Sequence, residues 1–319
     1  MNNTDRPMII PFVSRIPPHE QQVWINALAP QLEDATVCPI EQLTPEQQQE
    51  CRLAIVANPD PHQLAALPNL VWVHSVWAGV ERMLAELPQA TFHIVRLIDP
   101  VLTQTMVEAV LAWTLYLHRD MPAYRLQQTQ KHWHQRPYRS ASEKQIGLLG
   151  LGQLGLASAR CLQQQGFAVA GWSRSMKTVP DLISFHGEEG LQQLLSQSDI
   201  IINLLPLTPA TEQLLNRERF AACNPGAALI NFGRGGTIND AALLHALDSD
   251  QLSHAVLDVF DAEPLAADHP FWTHPQITVL PHISAPTTPS SASHIVATNI
   301  NHYVQTGELP PIVDRTKGY

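Results

Sequence analysis

Three short segments carry residues able to handle a reacting carbonyl: "INFGRGG" with Arg234, "LDVFDAEPL" with Asp258 and Glu263, and "LPHISAPT" with His282. An arginine set among glycines can grip a carboxylate in a bidentate fork, while the glycines let a ligand approach the backbone closely. An imidazole titrates near neutrality and can deliver or accept a proton. A carboxylate beside it would orient the ring and favour its charged form. Any one of these alone is more often a loop charge or a satisfied histidine. Each follows an apolar run, however, and open α/β sheets build their sites past the carboxyl ends of their strands.

A fourth segment points to a nucleotide. Gly150, Gly152 and Gly155, with Gln153 and Leu154 between the last two, form Gly-x-Gly-x-x-Gly after the apolar run "IGLLG" and before a helical stretch. In that context the first glycine allows a tight turn and the second lets a pyrophosphate near the backbone. The third permits close helix packing, and the helix start supplies amide donors. The alternative is a glycine-rich turn that binds nothing. An acid about 20 residues further on would accept from a ribose 2′-hydroxyl. Ser173 stands there instead, followed by Arg174 and Ser175. A guanidinium and two hydroxyls suit a 2′-phosphate, so NADPH is expected, with NADH the weaker cofactor. An arginine facing solvent is the alternative. Lys177 either adds charge nearby or is solvated.

The elements that must position these residues alternate in the manner of a parallel α/β protein. "MIIPFV", "RLAIVA", "LVWVHSV" and "FHIVRL" read as strands, and one long amphipathic helix is expected from about Val101 to Gln130. "HWHQRPYRSASEK" reads as a connecting loop; His132 and His134 there, two residues apart, are expected to diverge, and no metal is expected. From Gln145 onward the strands "IGLLG", "FAVAGW", "DIIINLL", "AALINF", "HAVLDVF" and "ITVLP" follow, with helices "QLGLASARCLQQQ" and "DAALLHALDS" among them. A last helix, opened by Ser and Thr N-caps, ends at Gly307.

The chain has 319 residues, 45% hydrophobic, and a formal net charge of −10, which argues against nucleic acid or an anionic membrane as partner. Four cysteines without paired spacing suggest free thiols, and no apolar run has the length of a signal peptide or membrane span, so a cytoplasmic protein is expected.

"GLLGLGQLG", "LLPLTPAT", "NFGRGG", "LDVFDAEPL" and "PHISAPT" occur in the order and spacing of one family. The chain resembles the D-isomer-specific 2-hydroxyacid dehydrogenases over nearly its whole length, most closely their glyoxylate/hydroxypyruvate reductase A group. The resemblance implies two Rossmann-like domains, each a doubly wound parallel sheet. The cofactor domain, 100–284, would be inserted into a discontinuous substrate domain made of 1–99 and a returning helix in 285–319. It implies reduction of a small 2-oxo acid, glyoxylate or hydroxypyruvate, and a homodimer formed through the glycine-rich domain.

Roles follow from the same resemblance. Arg234 would bind substrate, Glu263 and His282 would form the acid/base pair, and Asp258 would hold the nicotinamide carboxamide. Leu205, Pro206, Thr211, Phe232 and Gly233 join the glycine-rich turn and Ser173–Ser175 in lining the cofactor. "SVWAGVERM" matches a loop whose amides meet the substrate carboxylate, which points to Trp77, Ala78 and Gly79, with Trp77 able to cap the pocket. Glu81 stands where many members carry Asp. Two rivals remain at this point. Nucleotide-sensing corepressors share the fold and motifs, although this chain lacks basic arms. A methyltransferase would leave Arg234, Glu263 and His282 unexplained.

Overall fold

Apolar runs of strand length, separated by helix-sized stretches, fold into two sheets in which every strand pair is parallel. The computed structural model describes residues 7–318. It divides into two compact units, one made from both chain ends, up to residue 102 and from 287 onward, and the other from 103–286.

The first unit holds β1 (Met8–Ser14), β2 (Ala35–Pro39), β3 (Leu53–Ala57), β4 (Trp72–Ser75) and β5 (His93–Val95), ordered β2-β1-β3-β4-β5. All five residues of β3 are buried. Leu53, Ile55 and Ala57 pack with Ile10, Phe12 and Trp72 on one face, and Ala54 and Val56 with Val13, Val73 and Ile94 on the other. A strand apolar on both faces needs cover on both, as parallel sheets require. Trp24 and Leu28 of helix Pro18–Leu28, with Ala292, Val296 and Ile300 of helix Pro289–Thr306, cover the first face. Gly307 ends the latter in the left-handed region, φ 74°, its amide bonded to the Tyr303 carbonyl. Thr288 occupies the N-cap position, but its hydroxyl pairs with Ser291 rather than capping an amide. Strand β2 was not anticipated: it is short, ends in proline and lies at the sheet edge, where a lost donor is tolerated.

The second unit holds β6 (Gln145–Leu149), β7 (Ala168–Ser173), β8 (Ile183–His186), β9 (Ile200–Asn203), β10 (Ala227–Asn231), β11 (Leu252–Leu257) and β12 (Ile277–Val279). Their order, β12-β11-β10-β9-β6-β7-β8, reverses direction between β6 and β9, the switch point at which such sheets bind ligands. The single helix expected over 101–130 is two, Pro100–His118 and Met121–Thr129. The chain turns at Asp120, φ 54°, and Pro122 follows, unable to donate to a continuing helix. The second of these helices buries none of its residues. Among the described residues no helix is long and apolar enough to cross a membrane, and Cys38, Cys51, Cys161 and Cys223 are free thiols.

Candidate active site

The carboxyl ends of β9, β10, β11 and β12 bring the charged motifs of the second unit together. Asn231 ends β10, and Phe232–Arg234 follow it. A side chain on Gly235 would place its Cβ 1.9 Å from the Phe260 carbonyl carbon and 2.3 Å from the Asp261 amide nitrogen. Only glycine lets the Arg234 turn press this closely on the loop that carries Glu263. Gly233 is similarly confined, with the Leu205 carbonyl oxygen 2.6 Å from a built Cβ. The Arg234 guanidinium donates through Nη1 to the Gly233 carbonyl at 2.8 Å.

His282 Nδ1 and Glu263 Oε2 lie 2.7 Å apart, and Glu263 Oε1 accepts the Phe260 amide at 2.9 Å. The Glu263 hydrogen bond raises the imidazole pKa above its ordinary value, against burial and the Arg234 charge. Burial pushes the Glu263 carboxyl up, but the His282 and Phe260 hydrogen bonds and the charges of His282 and Arg234 outweigh it, so the net direction is down. Both shifts favour the charged pair. His282 itself sits at φ 55°, an unfavourable region for a residue with a Cβ. Buried Asp258 holds it there by taking three consecutive amides. Its carbonyl accepts His282 at 3.0 Å, and its carboxylate accepts Ile283 at 2.7 Å and Ser284 at 2.9 Å. The resemblance pointed to a cofactor contact for Asp258; the geometry adds this anchoring of the histidine loop.

Sequence reading missed a buried polar lattice beneath Arg234. Asn203 Nδ2 donates to Asn231 Oδ1 at 2.9 Å and to Thr237 Oγ1 at 2.7 Å. Asn231 Nδ2 and Thr237 Oγ1 then donate to the Arg234 carbonyl at 3.2 and 2.6 Å. The available signal was an asparagine ending each of two apolar strands, "IIIN" and "AALIN". Buried amides persist where they are satisfied, and here they fix the backbone of the arginine turn.

The glycine-rich turn fits a nucleotide. Gly150 takes φ +106°, and a Cβ on Gly155 would come within 1.9 Å of the Gly150 carbonyl oxygen. A Cβ on Gly152 would meet nothing within 4 Å, so this face of the turn is open. Helix Gln153–Gln164 starts there without a side-chain cap, leaving its first amides to a ligand. Buried Ser173 ends β7, and its hydroxyl donates to the Ser175 carbonyl at 2.8 Å, whereas Arg174 and Ser175 are exposed. The Lys177 ammonium reaches back to the Leu151 carbonyl at 2.9 Å, which places a second cation at the turn. Phe232 and Leu205 are buried, and the Leu205 amide donates to Asn203 Oδ1 at 3.2 Å. Thr211 gives its hydroxyl proton to the Pro206 carbonyl at 2.6 Å, shaping that loop from within.

In the first unit, Ser75 Oγ accepts the Trp77 amide at 3.0 Å. That amide is therefore committed, whereas those of Ala78 and Gly79 have no partner among the described residues. The Trp77 ring packs edge-on against Trp24 at 5.5 Å, half-buried against the core of the first unit. His132 and His134, expected to diverge, meet edge to face at 5.8 Å in an irregular segment where strand and helix geometry do not apply.

Residues 111–284 match the family described as D-isomer specific 2-hydroxyacid dehydrogenase, NAD binding domain. The chain is 36% identical over 307 residues to the glyoxylate/hydroxypyruvate reductase A of Yersinia enterocolitica, covering 94% of this chain and 97% of that protein. The D-isomer specific 2-hydroxyacid dehydrogenase of Xanthobacter autotrophicus Py2, solved in complex with NADPH and MES, has a TM-score of 0.90 at 35% identity, covering 98% of this chain and 100% of that one. The NADPH-dependent glyoxylate/hydroxypyruvate reductase of Sinorhizobium meliloti, in complex with NADP and sulfate, has a TM-score of 0.86 at 30% identity, covering 98% and 99%.

Proposed function

Because the chain belongs to the D-isomer specific 2-hydroxyacid dehydrogenases and is an NAD(P)-dependent oxidoreductase, we propose that it reduces a small 2-oxo acid with NADPH and that His282 is the proton donor. The observation that carries this reading is the 2.7 Å contact between His282 and Glu263, in the electrostatic reach of Arg234. Bound along the glycine-rich turn, NADPH would supply the hydride. Gly150–Gly155 would hold its pyrophosphate, with Lys177 adding charge at that turn, and Arg174 would hold its 2′-phosphate; the absence of an acid at Ser173 removes the repulsion that a carboxylate would bring.

Arg234 grips the substrate carboxylate and polarises the carbonyl. Glu263 occupies Nδ1 of the imidazolium, so Nε2 is the atom that gives its proton to the carbonyl oxygen. The Ala78 and Gly79 amides are assigned to the carboxylate as well, which makes the first unit the substrate domain. Glyoxylate and hydroxypyruvate are the substrates proposed, in keeping with the names of the relatives. We also infer that the protein is a homodimer.

NADPH oxidation with glyoxylate, hydroxypyruvate, pyruvate and phenylpyruvate tests the reading. The two small polar acids should be reduced fastest. A preference for phenylpyruvate would overturn the substrate assignment, and no turnover of any would overturn the enzymatic one.

A further inference from the structure

His74 has no part in the reaction above, yet it is 0% exposed in β4, on a face otherwise packed with Trp72, Val296 and Ile300. An apolar residue would fill such a position without cost, whereas a buried imidazole is tolerated only when both nitrogens are satisfied. Both are. Nδ1 lies 2.9 Å from the carbonyl oxygen of Ser75, and Nε2 lies 2.9 Å from Nδ2 of Asn299 on the C-terminal helix. Burial pushes the imidazole down to about 4, so the ring is neutral near pH 7. One tautomer then serves both contacts: Nδ1–H donates to the Ser75 carbonyl, and bare Nε2 accepts from the Asn299 amide.

Ser75 is the last residue of β4, and the loop beyond it depends on its geometry. Its hydroxyl takes the Trp77 amide at 3.0 Å, and the Trp77 carbonyl takes the Leu97 amide at 3.1 Å. The chain is thus turned and tied on either side of Trp77, and the next two amides, Ala78 and Gly79, have no partner among the described residues. His74 holds the carbonyl at the start of this arrangement, and Asn299 holds His74.

We propose that His74 and Asn299 are positioning residues that fix the Ser75–Gly79 loop in its donor conformation and thereby set the affinity for the 2-oxo acid. The proposal rests on the reading that Ala78 and Gly79 receive the substrate carboxylate. Its test exploits the geometry of the two nitrogens. His74→Asn places an amide donor near Nδ1 and preserves the Ser75 contact. His74→Gln places its amide near Nε2, preserving Asn299 and abandoning Ser75.

Steady-state assays with glyoxylate at saturating NADPH should show KM raised roughly 5- to 30-fold in His74→Gln, the consequence of one lost buried hydrogen bond. His74→Asn, which loses only the Asn299 contact, should raise KM no more than about 2- to 5-fold, and Asn299→Ala, the substitute should either His74 variant fail to fold, should match it. NADPH affinity by fluorescence titration should not change in any of them. Hydrogen exchange at the Trp77 amide, faster in His74→Gln than in His74→Asn or Asn299→Ala, reads the loop without turnover. If the wild type reduces no 2-oxo acid but that exchange pattern holds, the substrate reading fails and the positioning role stands. Equal KM increases in His74→Asn and His74→Gln, or an unchanged Trp77 exchange rate in His74→Gln, overturn it.

Discussion

Proton donation by His282 depends on how its partner shifts it. The proposed reduction would use the protonated ring, so kcat/KM should fall as pH rises through the His282 pKa, which the Glu263 hydrogen bond and charge raise. Glu263→Gln removes that charge, and the alkaline limb should move to lower pH; a profile with glyoxylate in which the limb stays put contradicts the pairing. His282→Gln should lose roughly 10²- to 10⁴-fold in kcat, the usual contribution of a positioned acid. At the other end of the cofactor, Arg174 and Lys177 should separate in their effects. Arg174 is exposed and is proposed to meet the 2′-phosphate, so Arg174→Ala should raise KM for NADPH about 10-fold, the equivalent of one charge-assisted contact, and leave NADH unaffected. Lys177 is bonded to the Leu151 carbonyl within the glycine-rich turn, so Lys177→Ala should weaken both nucleotides. Equal effects of Arg174→Ala on both cofactors would show that the arginine merely faces solvent.

Loops, more than side chains, decide whether these groups meet. Asp258 takes the amides of His282, Ile283 and Ser284, and so holds the histidine at φ 55°. Asp258→Asn replaces one acceptor by a donor facing an amide, at a cost of about 1.5–3 kcal/mol for the lost charged contact. Its kcat should drop, with a fall in thermal stability seen by calorimetry; normal stability with weakened NADPH binding would instead favour a cofactor role alone. Gly235→Ala should be worse, because its Cβ would overlap backbone atoms of Phe260 and Asp261. Much of this element layer was legible beforehand. Buried parallel strands such as "LAIVA" and "AALIN" are nearly continuous apolar runs, and the charged motifs stand directly after them. What stayed hidden depends on partners distant in sequence: the Asn203–Asn231–Thr237 lattice and the packing of the Trp77 ring against Trp24. The break at Asp120 had a local signal in Pro122, but the apolar period of the first helix masks it.

At the scale of the whole molecule, one surface of the second unit lacks the cover that its residues require. Helix Met121–Thr129 is nine residues long and buries none of them, although an isolated helix of that length is marginal in water. Met121, Tyr124 and Leu126 are exposed on it, and the irregular segment that follows leaves Trp133 95% and Tyr138 66% exposed. That segment is held in place: the Arg136 amide donates to the Tyr124 hydroxyl at 3.0 Å, and the Arg119 guanidinium stands 5.3 Å from the Tyr138 ring centre. A preordered arm ending in solvent-exposed aromatics is unfavourable unless something buries it. Beside the helix, Tyr116, Pro122, Arg125, Trp272 and Ile277–Val279 line a cleft of about 310 Å³ at the open edge of β12. An arm and a cleft on the same unit suit a two-fold pair, in which each copy gives its arm to the other. Burying one tryptophan covers roughly 150–250 Å², about 4–6 kcal/mol of gross hydrophobic stabilisation, and symmetry supplies it twice. Light scattering at micromolar concentration should therefore report twice the chain's 35.4 kDa. Trp133→Ala should shift the mass toward one chain, and Trp272→Ala, at the opposite side of the contact, should do the same. A wild type that runs as a monomer, or a Trp133→Ala protein whose dimer persists on dilution, would assign the arm to something other than a second copy.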